Sequence, residues 1–342
     1  LLADLDQDLP LVWGRTVHSV FFGGGTPSLF PADAIDRLLQ GASARLRFAP
    51  GAEITLETNP GTAEHGRFED YRRAGVNRIS FGIQTFDDAT LKKLGRIHDS
   101  AQAAAAVDLA RNAGFDNFNL DLMYALPDQT LAMAEADVRR AIDLAPTHIS
   151  HYQLTLEPNT VFAARPPTGI PDDDLAWDMQ ERCQALLADA GYAQYEVSAY
   201  ARAGRQCAHN LNYWRFGDYL GIGAGAHGKL TLGSEQTILR RWKSKHPVAW
   251  LAGAGTSSGI GGDERIEPGR RPFEFMLNAL RLVDGFAVSG FEATTGLTAS
   301  AIATPLAVAI DRGWLRRDGE RIVPTELGRR FTNDVVALFL DD

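Results

Sequence analysis

Cysteine is scarce in this chain: Cys183 and Cys207 are its only two among 342 residues. That excludes a disulfide framework and fits a reducing compartment. No apolar run nears the roughly 20 residues that cross a bilayer. Nothing at the start reads as a signal peptide, and Leu1-Leu2-Ala3-Asp4 without an initiator Met reads as a segment of a longer cytoplasmic protein. Positive charge is also short. Against 43 Asp and Glu stand 34 scattered Lys and Arg, a net charge of −9. A protein that holds nucleic-acid backbones needs the opposite balance, so nucleic acid is not an expected partner.

Hydrophobic residues make up 45% of the chain, ample for two domains or a barrel with an appendage. The most informative stretch is Val20-Phe21-Phe22-Gly23-Gly24-Gly25-Thr26-Pro27-Ser28. An apolar run ends in three glycines, where a ligand can lie against open backbone. Thr26-Pro27-Ser28 stops the strand, with Asp33 as a cap for the next helix. A glycine cluster alone is equally an ordinary turn.

Up to about residue 190, strand-like runs alternate with helical ones. The strands are Val17–Gly23, Glu53–Thr58, Arg78–Gln84, Asn117–Met123 and His148–Leu154. The helices fall near 33–46, 64–74, 100–113, 131–144 and 172–190. Ser100 and Gly114 bracket the third, and Asp172 caps the last, whose apolar stripe is Leu175, Met179, Cys183, Leu186 and Ala190. Repeated β-then-α units imply an α/β fold with parallel strands. Within three strands one face is apolar and the other polar. The polar faces end in Glu57, Gln84 and Asp121, near the strands' C-terminal ends. A doubly wound sheet needs both faces apolar, so a barrel with a polar lumen is the expectation. Tyr195–Tyr200 reads as one more strand. From Phe273 onward, helices followed by Trp314–Val323 resemble a small α+β winged-helix appendage. Gly223-Ala224-Gly225-Ala226-His227-Gly228 has a dinucleotide-type spacing, but a strand-like run follows where a helix is required, so NAD is rejected.

Several segments fit one family in order and spacing: Phe22–Pro27, Glu57–Pro60, Ser80–Phe86, Asn119–Tyr124, Leu126–Thr130 and His209-Asn210-Leu211-Asn212-Tyr213-Trp214. Along nearly its whole length the chain resembles the radical S-adenosylmethionine (SAM) proteins of the HemN/HemW family. The resemblance implies a partial (βα)6 TIM-like barrel, here lacking its first strand, over 1–200. A connecting region with a heme-motif segment would occupy 201–267, and a C-terminal HemN/HemW-type domain 268–342. Gly24, Gly25, Thr26, Glu57, Gln84, Arg96 and Asp121 would bind SAM. His209, Asn210, Tyr213 and Trp214 would bind heme, with His209 as a candidate iron ligand. The family's [4Fe–4S] cluster sits on a Cys-x3-Cys-x2-Cys loop upstream of the glycine strand. This chain has no such loop, so the cluster is expected only in an intact parent and no catalytic residue is assigned. The segment His209–Trp214 implies the heme-chaperone branch, which carries heme to acceptor proteins. The alternative is the branch of oxygen-independent coproporphyrinogen III dehydrogenases. Heme or porphyrin, heme-acceptor proteins, the cytoplasmic membrane surface and a second copy of the chain are the partners the resemblance implies.

Overall fold

The computed structural model describes residues 1–61, 67–158, 161–233 and 237–340, which pack as two units. One comprises Ser19–Leu39 and Gly51–Cys207; the other gathers Leu1–His18, Gln40–Pro50 and Ala208–Asp342. The former is built on a curled sheet of β1 (Thr16–Phe22), β2 (Arg47–Thr58), β3 (Arg78–Gln84), β4 (Phe118–Tyr124), β5 (His148–Gln153), β6 (Ala193–Glu196) and β7 (Ala199–Ala201). Their order is β1-β2-β3-β4-β5-β7-β6. Pairing is parallel from β2 through β5 and antiparallel at β5–β7 and β7–β6. The run Tyr195–Tyr200 therefore turns back on itself as a hairpin.

Leu56, Ile79, Phe81, Leu120, Leu122 and Ile149 are buried, with helices such as Ser100–Asn112, Leu131–Asp143 and Asp173–Asp189 between successive strands. Local details depart from the sequence expectations at identifiable places. Asp99, not Ser100, caps its helix, because its carboxylate accepts from Gln102 N while Gln102 Oε1 accepts from Asp99 N. Asp33 lies inside the first turn of Ala32–Ser43 rather than at its cap. Asp172 does cap its helix, whose buried stripe is Ala176, Met179, Cys183 and Leu187, in place of the Leu175, Leu186 and Ala190 expected beside Met179 and Cys183. Strand β2 begins at Arg47 rather than at the expected Glu53 and runs through Pro50-Gly51, where Gly51 adopts a left-handed φ of 73°. The helix expected over 64–74 is seen as Phe68–Arg73, and residues 64–66 lie outside the described residues.

The second unit contains the antiparallel sheet β8 (His227–Leu232), β9 (Thr237–Lys243) and β10 (Ile260–Ile266), in the order β10-β9-β8. A further sheet of β11 (Phe286–Ala287), β12 (Leu315–Asp318) and β13 (Arg321–Pro324) is ordered β11-β13-β12. With the helices Arg271–Ala279, Val288–Thr295 and Ala303–Asp311 it has the helix–strand–helix–helix–strand–strand order of a winged helix. Phe216, Ile238, Ile266, Phe275, Phe291, Leu306 and Ile322 share one hydrophobic core.

From β9, Lys243 projects its ammonium, 1% exposed, between two carboxylates of the helix Leu2–Val12. Its Nζ lies 2.6 Å from Asp4 Oδ1 and 2.6 Å from Asp8 Oδ2. Asp8 is further paired with Arg241, while Asp4 Oδ2 accepts from Gly223 N and Trp250 Nε1. Removing one ion of such a buried cluster strands its partners without countercharge, which costs about 3–5 kcal/mol. Lys243→Met should lower the urea unfolding free energy by about that amount. In Lys243→Met/Asp8→Leu/Asp4→Asn much of the loss should return; equal stability of Lys243→Met and wild type would refute this role.

Candidate functional site

The polar lumen of the curled sheet is assembled from strand ends. After β1, Gly24 takes a φ of 111°, and a Cβ at Gly24 or Gly25 would meet no atom within 4 Å. The backbone there is open. Gly24 N donates to Glu57 Oε2 at 3.3 Å. From the end of β2, Asn59 links two neighbours: its Nδ2 donates to Thr26 Oγ1 and its Oδ1 accepts from Arg96 Nη1, each at 3.4 Å. Gly82 leaves room for this arrangement, since a Cβ there would lie 3.1 Å from Asn59 Oδ1 and 3.1 Å from Gln84 Nε2.

Strict alternation in β3 fails after Phe81. Phe81 pairs with Leu120 but Gln84 with Leu122, so three steps on β3 face two on β4. The adjustment coincides with a left-handed φ of 73° at Gln84, unusual for a residue with a side chain. Asp137, from the helix Leu131–Asp143, accepts from Thr85 Oγ1 and Phe86 N at 2.7 Å each and fixes the chain just beyond. In this geometry Gln84 Oε1 accepts from Tyr152 OH at 2.9 Å. The Gln84 amide N–H donors are thereby oriented by a residue of β5.

Asp121 is held by a buried network. Its Oδ1 accepts from Asn119 Nδ2 at 2.7 Å and its Oδ2 from Ser80 Oγ at 3.4 Å. Asn119 Oδ1 in turn meets Ser150 Oγ and His148 Nδ1, and His148 Nε2 meets Tyr195 OH at 2.8 Å. Burial, seconded by the nearby Arg78 cation, pushes the His148 imidazole well below its ordinary range, so it is neutral. Burial also raises Asp121, against hydrogen bonds that lower it. Glu57 is raised to about 7, first by burial and then by the Asp121 charge, with the Gly24 N–H opposing. The lumen thus holds two carboxylates whose charge is poorly compensated.

Six of the seven expected SAM residues therefore join this lumen through hydrogen bonds or mutual fields: Gly24, Thr26, Glu57, Gln84, Arg96 and Asp121. Gly25 continues the open backbone beside them. Asn59, Asn119 and Tyr152 are the residues that sequence reading left out. Asn59 and Asn119 lay within segments already singled out, and Tyr152 stands on β5 at the same strand end; what hid them is that they act through other side chains.

The heme-motif segment forms the short helix Ala208–Trp214 in the other unit. His209 and Tyr213, four residues apart, meet edge to face at 4.9 Å, and Tyr213 continues to Tyr219 at 4.3 Å. The Arg281 guanidinium covers the Trp214 ring at 4.4 Å, and the buried Trp214 Nε1 has no hydrogen-bond partner among the described residues. Asn210 is half-buried on the same helix.

Residues 6–141 match the Radical SAM superfamily, and residues 266–331 match the HemN C-terminal domain. The heme chaperone HemW of Escherichia coli (strain K12) is 50% identical over 340 residues, 99% of this chain and 88% of that protein. The chain belongs to the HemW family. A second heme chaperone HemW, from Haemophilus influenzae, is 49% identical over the whole chain, and that of Lactococcus lactis is 36% identical over 95% of it. The fold is that of the E. coli coproporphyrinogen III oxidase HemN, with a TM-score of 0.81 at 23% identity, covering 99% of this chain and 81% of that one.

HemW membership brings a radical SAM cluster into question, and the thiols present do not suit one. Cys183 is buried in the helix Asp173–Asp189, its thiol pushed up to about 12 chiefly by burial. Cys207 is buried elsewhere, donating its S–H to Glu53 Oε1 at 3.5 Å. Two separated, buried thiols cannot supply the three thiolates a cluster takes.

The Glu57 carboxyl titrates higher in the folded protein than in the unfolded chain, whose ordinary value is 4.5. Between those values the native state retains a proton that the unfolded state has released, so stability falls as pH rises from about 4.5 to about 7. Glu57→Gln should flatten this loss by about 1–3 kcal/mol, read from urea midpoints at about pH 5 and pH 8. An unchanged slope would show that Glu57 titrates normally.

Proposed function

We propose that the chain binds heme and hands it to acceptor proteins, in keeping with its relatives, which are heme chaperones. One observation carries this reading: 50% identity over 99% of the chain to a heme chaperone, with the His209–Trp214 segment intact. The helix Ala208–Trp214 supports it. Its His209 and Tyr213 rings form an aromatic face able to pack a porphyrin, and a half-buried helix can release cargo more readily than a closed cavity. The alternative, a coproporphyrinogen dehydrogenase, has for support a fold likeness at 23% identity.

The lumen suits SAM as a bound ligand. SAM supplies an ammonium, a carboxylate and a cationic sulfonium. The carbonyls of Gly24 and Gly25, on open backbone, and that of Thr26, which already accepts from Leu29 N, would accept from the ammonium, and Arg96 would hold the carboxylate with Asn59 fixing its guanidinium. Glu57 and Asp121 would face the positive charge, which would lower Glu57 and draw off its proton. Gln84, oriented by Tyr152, would donate to ligand hydroxyls. No radical step is assigned, because this chain's thiols do not hold the cluster.

Titration with hemin should give a saturable Soret band, weakened at least about tenfold in His209→Ala. No saturable binding by the wild type would end the carrier reading. Calorimetric titration with SAM should show proton release near neutral pH. Tyr152→Phe should weaken SAM binding about fivefold to tenfold without changing thermal stability much, as for the loss of one orienting hydrogen bond. Equal SAM affinity in wild type and Tyr152→Phe would remove Tyr152 from the site.

A further inference from the structure

One row of residues crosses the sheet β10-β9-β8 in an unusual way. His227 on β8 is paired with Trp242 on β9, and Trp242 with Gly262 on β10. On the outer side of β8 the neighbour is Gly221, whose Cβ, if it had one, would fall 2.1 Å from His227 O. Two ring-bearing residues are thus flanked by glycine on both sides. The Trp242 indole lies on Gly261 and Gly262, where an added Cβ would come within 2.7 Å and 2.2 Å of its ring. His227 and Trp242 rings are close to parallel, 25° apart, with centroids at 6.4 Å. Trp242 is half-buried and His227 is exposed.

Among the described residues, the His227 ring meets Trp242 alone, which leaves both imidazole nitrogens without a hydrogen-bond partner there. The other described histidines differ: His209 is half-buried and meets Tyr213 edge to face on its own helix. His98 and His148 are buried and hydrogen-bonded, and His151 is buried against Tyr124. His18 and His246 are exposed without an aromatic brace. The approach to His227 is clear. It follows Gly223-Ala224-Gly225-Ala226, whose glycines adopt φ of 112° and 69° and whose largest side chain is a methyl group. Exposed Lys245 adjoins that loop, its Cα 3.7 Å from the Cβ position of Gly225. A braced, unpartnered imidazole with open space and a nearby ammonium fits a planar metal complex that carries carboxylates.

We propose that His227, braced by Trp242 on a glycine-cleared edge of this sheet, is an axial iron ligand of the carried heme. The inference rests on the heme-carrying reading above. The imidazole lone pair forms an Fe–N bond and displaces water or hydroxide from ferric heme, with no change in oxidation state. An axial imidazole stands across the porphyrin plane. Trp242, nearly parallel to the imidazole, therefore restrains its rotation and does not stack on the porphyrin. Exposed Lys245, whose backbone adjoins the loop before His227, would supply the ammonium for a propionate.

The test is hemin titration of the full chain, read by the Soret band and by ferric electron paramagnetic resonance. His227→Ala and His227→Gln should each lose at least about tenfold in affinity and change the iron's ligand-field signature. Circular dichroism should be unchanged, as suits an exposed residue. Added imidazole should restore the signature in His227→Ala, while His18→Ala and His246→Ala should match wild type. Wild-type affinity and spectra in both His227 variants would overturn the assignment while leaving the carrier reading standing. Absence of saturable hemin binding in the wild type would overturn both.

Discussion

Two carboxylates share one lumen, and the difficulty of keeping both charged there governs the curled sheet. Asp121 is satisfied from within: Asn119 and Ser80 donate to it, and Ser150, His148 and Tyr195 hold Asn119 in turn. Glu57 has one weak backbone donor, Gly24 N, and sits in the field of Asp121. A buried acid in that position either keeps its proton or acquires a cation. Because Gly24 and Gly25 leave the adjoining backbone open, the cation can come from a ligand. The same burial and the Asp121 charge that raise Glu57 favour a positive charge beside it.

Around this lumen the sheet is shaped by departures from regularity. The bulge after Phe81 and the left-handed backbone of Gln84 bring the amide to Tyr152, and Asp137 holds the turn that follows. Strain of this kind persists only where its surroundings over-determine it. In the other unit a comparable constraint operates with opposite sign. A buried ammonium, Lys243, ties the helix Leu2–Val12 to β9 through Asp4 and Asp8. Both faces of β8–β10 are thereby occupied, by that helix on one side and by the core around Phe275 on the other. At the sheet's edge His227 and Trp242 emerge from this packing with glycines on either side.

Most of the strand and helix positions up to residue 190 were legible, because three of the strands carried a two-residue polarity period and helices such as 100–113 and 172–190 a cap or glycine stop. Arg78–Gln84 has the bounds expected from its sequence. The caps were less legible: Asp99 and Ser100 are both good cap residues, and only the reciprocal bond with Gln102 distinguishes them. The sheet β8–β10 was not legible as a sheet. Its strands mix charges such as Arg240, Arg241 and Lys243 with apolar residues, and these charges are satisfied by Glu274, Asp8 and Asp4, residues 34 to more than 230 positions away.

By itself the sequence determined the succession of βα units, the polar strand ends Glu57, Gln84 and Asp121, the scarcity of thiols and the presence of His209–Trp214. These follow from residue type and short-range periodicity, which need no partner to be read. Tertiary structure decided which polar groups compensate one another: Asn119 beneath Asp121, Tyr152 behind Gln84, Asn59 between Thr26 and Arg96, and Trp242 beside His227. Apart from Asn119 and Asp121, which are neighbours along β4, these depend on how separate strands and loops are brought together. Register is a long-range property, fixed when the whole sheet forms, so no local pattern could have announced it.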